Sequence, residues 1–130
     1  EPIYVNNNTI SFNKINLVGD EKINRKLNSI LLLKDNINDQ PIEEISVESK
    51  KSIIEASKDP KGQTATYKSS VEIEVIISND GEIKKQRIFR QSFTYNNLEN
   101  KFNLYNYQNK IEDDLVNKIM EDLVIFINLQ

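Results

Sequence analysis

Among 130 residues there is no cysteine and no histidine. The first absence excludes a disulfide framework and any thiolate metal site. The second removes the commonest general base, the commonest metal ligand and the usual middle member of a nucleophilic triad. An enzyme built from this sequence would have to run on carboxylates, lysine or tyrosine, so the reading is of a protein with no catalytic residues, no metal and no cofactor. Gly and Pro number only three each, and no Gly sits in the spacing of a phosphate-cradling loop. The longest apolar clusters, Ile30 to Leu33 and Leu123 to Ile127, fall far short of the roughly 18 residues of a bilayer-spanning helix, so a soluble domain is expected. There is no basic excess either. Seventeen Lys and Arg against 20 Asp and Glu give a net charge of -3, which argues against a nucleic-acid binder held by phosphate neutralisation.

What is present is an ordinary globular composition, 38% hydrophobic and 28% charged, in a chain long enough for one domain over residues 1–130. The sequence opens at Glu1-Pro2-Ile3-Tyr4 without Met, so an upstream targeting segment is expected, with residues 1–9 as an N-terminal extension.

Hydrophobic periodicity divides the rest. Ile10, Phe12, Ile15, Leu17 and Val18 predict a first strand whose one change of parity is read as a bulge. Gly19-Asp20 breaks it, with Asp20 as an N-cap, and Ile23, Leu27, Ile30, Leu31 and Leu33 predict a helix over 20–36. Asn36 to Pro41 has loop composition. Residues 42–57 read as a strand interrupted at Lys50-Lys51. Asp59-Pro60-Lys61-Gly62 predicts a type I turn, and Asn79-Asp80-Gly81-Glu82 a tight hairpin with two positive-φ residues. Between these turns Tyr67, Ser69, Val71, Ile73, Val75 and Ile77 share one face of the clearest strand. A fourth strand, 83–95, places Phe89, Phe93 and Tyr95 on one face and Lys84, Gln86, Arg90 and Ser92 on the other. Residues 96–105 read as a polar connection. Ile111, Leu115, Ile119 and Leu123 then predict a helix over 107–128. The fold expected is α+β: a two-layer sandwich, two α-helices on one face of a four-stranded mixed β-sheet, in the order β-α-β-β-β-α.

Few residues point to chemistry. Glu112-Asp113-Asp114 reads as acid complementing a helix N-terminus rather than as paired catalytic carboxylates. Asp59 and Asp80 read as turn residues rather than a metal pair. Lys50, Lys51, Lys58, Lys61, Lys68, Lys84, Lys85, Arg87 and Arg90 make the 50–90 region the most basic; clustered, they would form a site for a phosphate-like anion, and singly they are a solvated sheet face. Phe89, Phe93, Tyr95 and Phe102 read as core, with Tyr105 and Tyr107 as exceptions in a polar stretch.

Two segments carry a resemblance. Gly62-Gln63-Thr64-Ala65-Thr66-Tyr67, at a strand start, and Phe89-Arg90-Gln91-Ser92-Phe93-Thr94-Tyr95-Asn96-Asn97 resemble the Gly-Gln-Thr-Ala-x-Tyr and Phe-Arg-x-Phe stretches of the LPS-assembly outer-membrane lipoprotein family of the LptE type, with one additional residue in the second. Pro2-Ile3-Tyr4 is similar to the residues just after the lipid-bearing Cys in some members of that family, and the order of elements is the family's. The resemblance implies a non-enzymatic lipoprotein on the periplasmic side of the outer membrane, attached only through an N-terminal lipid. It would plug and assemble the LptD-type β-barrel and help deliver lipopolysaccharide to the outer leaflet. The family's lipopolysaccharide contacts include a cation just before the Gly-Gln-Thr-Ala motif, where Lys61 is nearest, and one after the fourth strand, where Lys101 is nearest. With Lys58 and Arg90 these are the candidate residues for lipid A phosphates. The rival readings are a periplasmic interaction module of the same fold with another envelope partner, and a carboxylate-based hydrolase, which would need clustered acids of raised pKa in a concave pocket.

Overall fold

The computed structural model describes residues 10–35 and 41–129; the extension expected at 1–9, and all but the last residue of the expected loop at 36–41, lie outside them. The described residues form β1 (Ile10–Phe12), β2 (Lys14–Gly19), α1 (Glu21–Asn28), β3 (Leu31–Leu33), β4 (Glu43–Lys58), β5 (Thr64–Asn79), β6 (Glu82–Asn96) and α2 (Lys101–Asn128). The main sheet has the order β2-β4-β5-β6. β2 runs parallel to β4, while β4, β5 and β6 are antiparallel neighbours. The sheet is therefore mixed, and α1 lies in the crossover that a parallel pair requires. Both helices lie on one of its faces, and the expected α+β sandwich is the observed one.

The first predicted strand is two strands. β1 pairs with β3 in a separate two-stranded ribbon, and β2 joins the main sheet. The change of parity is thus a switch of sheets at Asn13 and not a bulge. Asn13 holds the switch: its amide donates to the Glu43 carbonyl at 2.8 Å, its side-chain oxygen accepts from the Glu43 amide at 2.8 Å, and its Nδ2 donates to the Lys34 carbonyl at 3.2 Å.

The first helix is shorter than its spacing predicts. Asp20 caps it as expected, accepting from the Ile23 amide at 3.0 Å, and Ile23 and Leu27 are buried one turn apart. It ends at Asn28, where the Ser29 hydroxyl donates to the Lys26 carbonyl at 2.6 Å. Leu31 to Leu33 then pair with β1. A short apolar run fits either period, and the edge of β1 decides for the strand.

β4 is continuous: Lys50 and Lys51 pair with Glu72 and Val71, and irregularity enters only between Glu55 and Lys58. Both hairpin turns form as predicted. The Gly62 amide donates to the Asp59 carbonyl at 2.9 Å, and Asp80 and Gly81 take φ of 53° and 82°, the two positive values a primed turn needs.

α2 begins at Lys101, six residues before the predicted start, because the Asn100 side chain caps it by accepting from the Asn103 amide at 3.0 Å. Its buried stripe of Leu104, Ile111, Leu115, Val116, Ile119, Leu123 and Ile127 meets Ile45, Val47, Val71, Ile73 and Val75 of the sheet and Ile23 and Leu27 of α1. At 28 residues and about 1.5 Å per residue it runs roughly 40 Å along the sheet. The eight residues of α1 reach only about 12 Å. The half of the sheet opposite the N-terminal turns of α2 is therefore covered by one helix alone, with a groove on each side of it.

Candidate functional site

The two segments that carry the resemblance lie far apart in sequence and meet at one corner of the sheet. At the β4-β5 turn the Asp59 carboxylate accepts from the Lys61 and Gln63 amides, both at 2.9 Å, and the Asp59 amide donates to the Gln63 carbonyl at 2.7 Å. Asp59 is thus occupied by its own turn, as its position predicts. Asn97, which ends the second segment, donates its backbone amide to the Ala65 carbonyl and its Nδ2 to the Thr64 carbonyl, both at 2.9 Å. Tyr67 stacks on Tyr95 with ring centroids 6.2 Å apart. The Tyr95 hydroxyl shares a 2.7 Å hydrogen bond with Ser69 in the core, and Tyr107 of α2 meets Tyr95 edge-on at 5.5 Å.

Beside this corner a concavity of about 530 Å³ opens, lined by Lys58, Gly62, Gln63, Thr64, Tyr67, Asn97 and Lys101 together with Glu55, Leu98 and Glu99. The Asn97 Oδ1 in its wall is a buried acceptor with no hydrogen-bond partner among the described residues. Of the four candidate cations the structure brings together Lys58 and Lys101. Lys61 is exposed beside them at the apex of the turn. Arg90 is elsewhere: its register partner Glu72, with which it forms a 2.9 Å ion pair, is six residues beyond Thr66, about 20 Å along the strand, on the sheet face away from α2. Glu55 and Glu99 balance the two lysines, so the concavity has no net positive charge.

The aromatic residues divide differently from expectation. Phe89 and Tyr95 are core, but Phe93 is 50% and Phe102 71% exposed. Phe93 has the predicted parity and faces the helix layer. It lies on the last strand, where α2 passes without covering it. Phe102 falls in the first turn of a helix that its periodicity places too late. Tyr105 is exposed as expected.

Glu112 and Asp113 do not sit at a helix N-terminus, since α2 starts at Lys101. They are the acids of a network across three elements. Lys51 of β4 reaches Asp20 at 3.1 Å and Glu112 at 3.2 Å, and Lys22 of α1 reaches Asp113 at 3.0 Å. Burial alone would raise the Asp20 carboxyl, but the Ile23 amide and the Lys51 ammonium outweigh it and hold the group below the usual carboxylate value. Burial alone would lower the Lys51 ammonium, and its bonds to Asp20 and Glu112 raise it instead. This network joins helices to sheet; no sequence spacing signals it, because its members are brought together only by packing. Asp80 ties a turn to the chain end of β4 in a similar way, accepting from the Ile42 amide at 2.9 Å. Among the described residues there is no group of acids able to hold a metal ion, and no helix is long and apolar enough to cross a membrane.

No protein-family model matches the chain, and no curated protein matches its sequence. Solved structures do match its fold. A rare lipoprotein B from Shewanella oneidensis aligns over 88% of this chain and 98% of its own, with a TM-score of 0.52 at 15% identity. An uncharacterized lipoprotein B from Nitrosomonas europaea aligns over 90% and 83%, with a TM-score of 0.57 at 8% identity. A minor lipoprotein from Acinetobacter baumannii aligns over 87% and 88%, with a TM-score of 0.51 at 12% identity. The fold of this chain is that of the solved lipoprotein B structures, the fold the resemblance in sequence implies.

Proposed function

We propose that this chain is a lipoprotein of the LptE type, which without catalysing a reaction plugs and assembles an LptD-type β-barrel of the outer membrane and assists delivery of lipopolysaccharide. The observation that carries the reading is the convergence of the two family-like segments. Asn97 of the second is hydrogen-bonded to Thr64 and Ala65 of the first, at a corner that also gathers Lys58 and Lys101. Antiparallel pairing of β5 with β6 sets the ends of the segments side by side, and the Asn97 side chain adds a bond that the ladder alone does not supply. A rigid sandwich with polar hairpin ends suits a barrel lumen, and paired lysines at one end can engage lipid A phosphates. Asp20 and Glu112, two acids that packing brings together, are both ion-paired with Lys51, an arrangement suited to joining helices to sheet rather than to acid catalysis.

The test is affinity purification of the chain from its native envelope in mild detergent. Recovery of a stoichiometric outer-membrane barrel is expected; a chain that never brings one down sinks the assignment and leaves the interaction module with another envelope partner. For the lipid contact, Lys58→Glu with Lys101→Glu is expected to weaken binding of purified lipopolysaccharide and flatten its salt dependence, whereas Arg90→Glu leaves both unchanged. Equal affinity in the double variant removes the concavity from the lipid site and leaves the barrel assignment standing.

A further inference from the structure

β6 is the last strand of the sheet, and no described strand pairs with its outer edge. It is 15 residues long, contains neither Pro nor Gly, and its one register irregularity lies near its start, beside Ile77 and Ser78. From Gln86 to Asn96 it therefore presents a regular row of backbone donors and acceptors, the arrangement that folded proteins usually break or cover. The free stretch of β4 beyond β2 is different, since it is irregular between Glu55 and Lys58.

Three features say what fits this edge. Beyond Glu82, which is ion-paired with Lys84 at 2.8 Å, the strand carries Lys85, Arg87 and Arg90 and no acid. The two arginines are held in place rather than loosely solvated: Arg87 lies over the Phe89 ring at 4.9 Å and Arg90 is bonded to Glu72 at 2.9 Å. They point to opposite faces of the sheet, because Arg87 shares a row with Val75 and Arg90 with Glu72. Next to them a groove of about 590 Å³ runs between β6 and α2, with Phe93, Tyr107, Ile111 and Leu115 in its walls.

We propose that the outer edge of β6 is a docking site for an extended acidic segment of a partner protein, which adds to the sheet as a fifth strand. Backbone pairing gives the affinity and side chains on alternate faces give the selectivity. Carboxylates fall opposite Arg87 and Arg90, and an apolar side chain opposite Phe93 enters the groove. These three positions are three residues apart, so the segment reads acid-x-x-acid-x-x-apolar in the direction of β6, or the reverse if antiparallel. From Arg87 to Phe93 the contact spans about 20 Å. The proposal does not depend on the barrel assignment.

The probe is a blocked peptide of about nine residues, Thr-Leu-Thr-Val-Glu-Thr-Val-Glu-Thr, titrated into the isotopically labelled chain and followed by amide NMR shifts and hydrogen exchange. Shifts and slowed exchange are expected along Gln86 to Thr94. The same peptide with Lys for both Glu is expected to bind about tenfold more weakly or worse. A chain carrying Arg87→Glu and Arg90→Glu should reverse that preference; the two peptides on the unaltered chain decide the matter even if this variant folds poorly. Shifts confined to β4, equal binding of the two peptides, no perturbation at millimolar peptide, or self-association through β6 in sedimentation would each overturn the proposal.

Discussion

Gly19 offers a sharp test of how the sheet is joined to the helix layer. Its φ of 111° is one that an L side chain rarely adopts. A Cβ built there would lie 2.1 Å from the Ser49 carbonyl oxygen and 2.8 Å from the Ser49 hydroxyl. Neither neighbour can yield cheaply. Ser49 pairs with Gly19 across the β2-β4 ladder, and its hydroxyl accepts from the Asp20 amide at 3.0 Å, at the first residue of the helix cap. Gly19→Ala must therefore adopt a backbone conformation costing about 1–3 kcal/mol and separate the end of the ladder, forfeiting contacts worth about 1–3 kcal/mol. The smaller entropy of the unfolded alanine chain returns about 0.4–1 kcal/mol. The net loss is about 3 kcal/mol, and a fall in Tm on the order of 10 °C is expected for a domain of this size. Gly62 and Gly81 supply the controls, since both have positive φ (85° and 82°) but nothing within 4 Å of the added carbon. Their alanine variants should lose only about 1 kcal/mol each. Urea denaturation followed by far-UV circular dichroism gives all three values on one scale. A Gly19→Ala variant within about 0.5 kcal/mol of Gly62→Ala would show that the close approach to Ser49 does not exist.

The Asp20 carboxyl titrates lower in the folded chain than in the unfolded one, so its contribution is fully present above the ordinary value of about 4 and is lost as pH falls through that value toward the folded one. Lys51→Met should raise the folded pKa and shrink the part of acid destabilisation between about pH 5 and 3, seen as a smaller change in urea midpoint; an unchanged acid slope would mean that Lys51 does not hold Asp20. Tyr95→Phe strands the Ser69 hydroxyl in the core and should cost about 1–3 kcal/mol, much of it recovered in the double variant with Ser69→Ala. In α2, Leu123→Ala should cost about 2–5 kcal/mol, whereas Phe102→Ser, at an exposed site, should stay within about 0.5 kcal/mol; similar losses at both would contradict the placement of the first turn.

The legibility of the fold in the sequence depends on how local each signal is. The β5 alternation, both hairpin turns and the Asp20 cap are written in neighbouring residues, and all form as read. The Ile30 to Leu33 run misleads because its partner, β1, lies some 20 residues earlier, and no local period reports a strand waiting for it. The same pairing disguises the sheet switch at Asn13 as a bulge. The start of α2 is hidden because Phe102 and Tyr105 are exposed: a first turn without buried apolar residues apart from Leu104 has little amphipathic pattern to show, and Asn100 is the available signal. The fold class survives these errors because it depends on which faces are apolar, and those are plain in the sequence.

The site is less legible for a different reason. Several residues of the two family-like segments have structural duties at the corner. Gly62 closes the turn with Asp59, Tyr67 and Tyr95 stack, and Asn97 stitches β5 to the chain beyond β6. A motif spent on geometry identifies the corner without naming its ligand, and the charges around it do not name one either, since Glu55 and Glu99 line the same concavity as Lys58 and Lys101. With the cations matched by acids, net attraction for a phosphate at long range is small. Any affinity has to come from short-range contacts to individual lysines, which salt screens less once the groups are desolvated. The spare acceptor at Asn97 Oδ1 is buried, out of direct reach of a ligand in the concavity, so the contacts fall to the lysines. Lys58→Ala and Lys101→Ala should therefore each weaken binding of a phosphorylated sugar at the corner, which isothermal titration would measure; unchanged affinity in both variants would refute this account of the concavity.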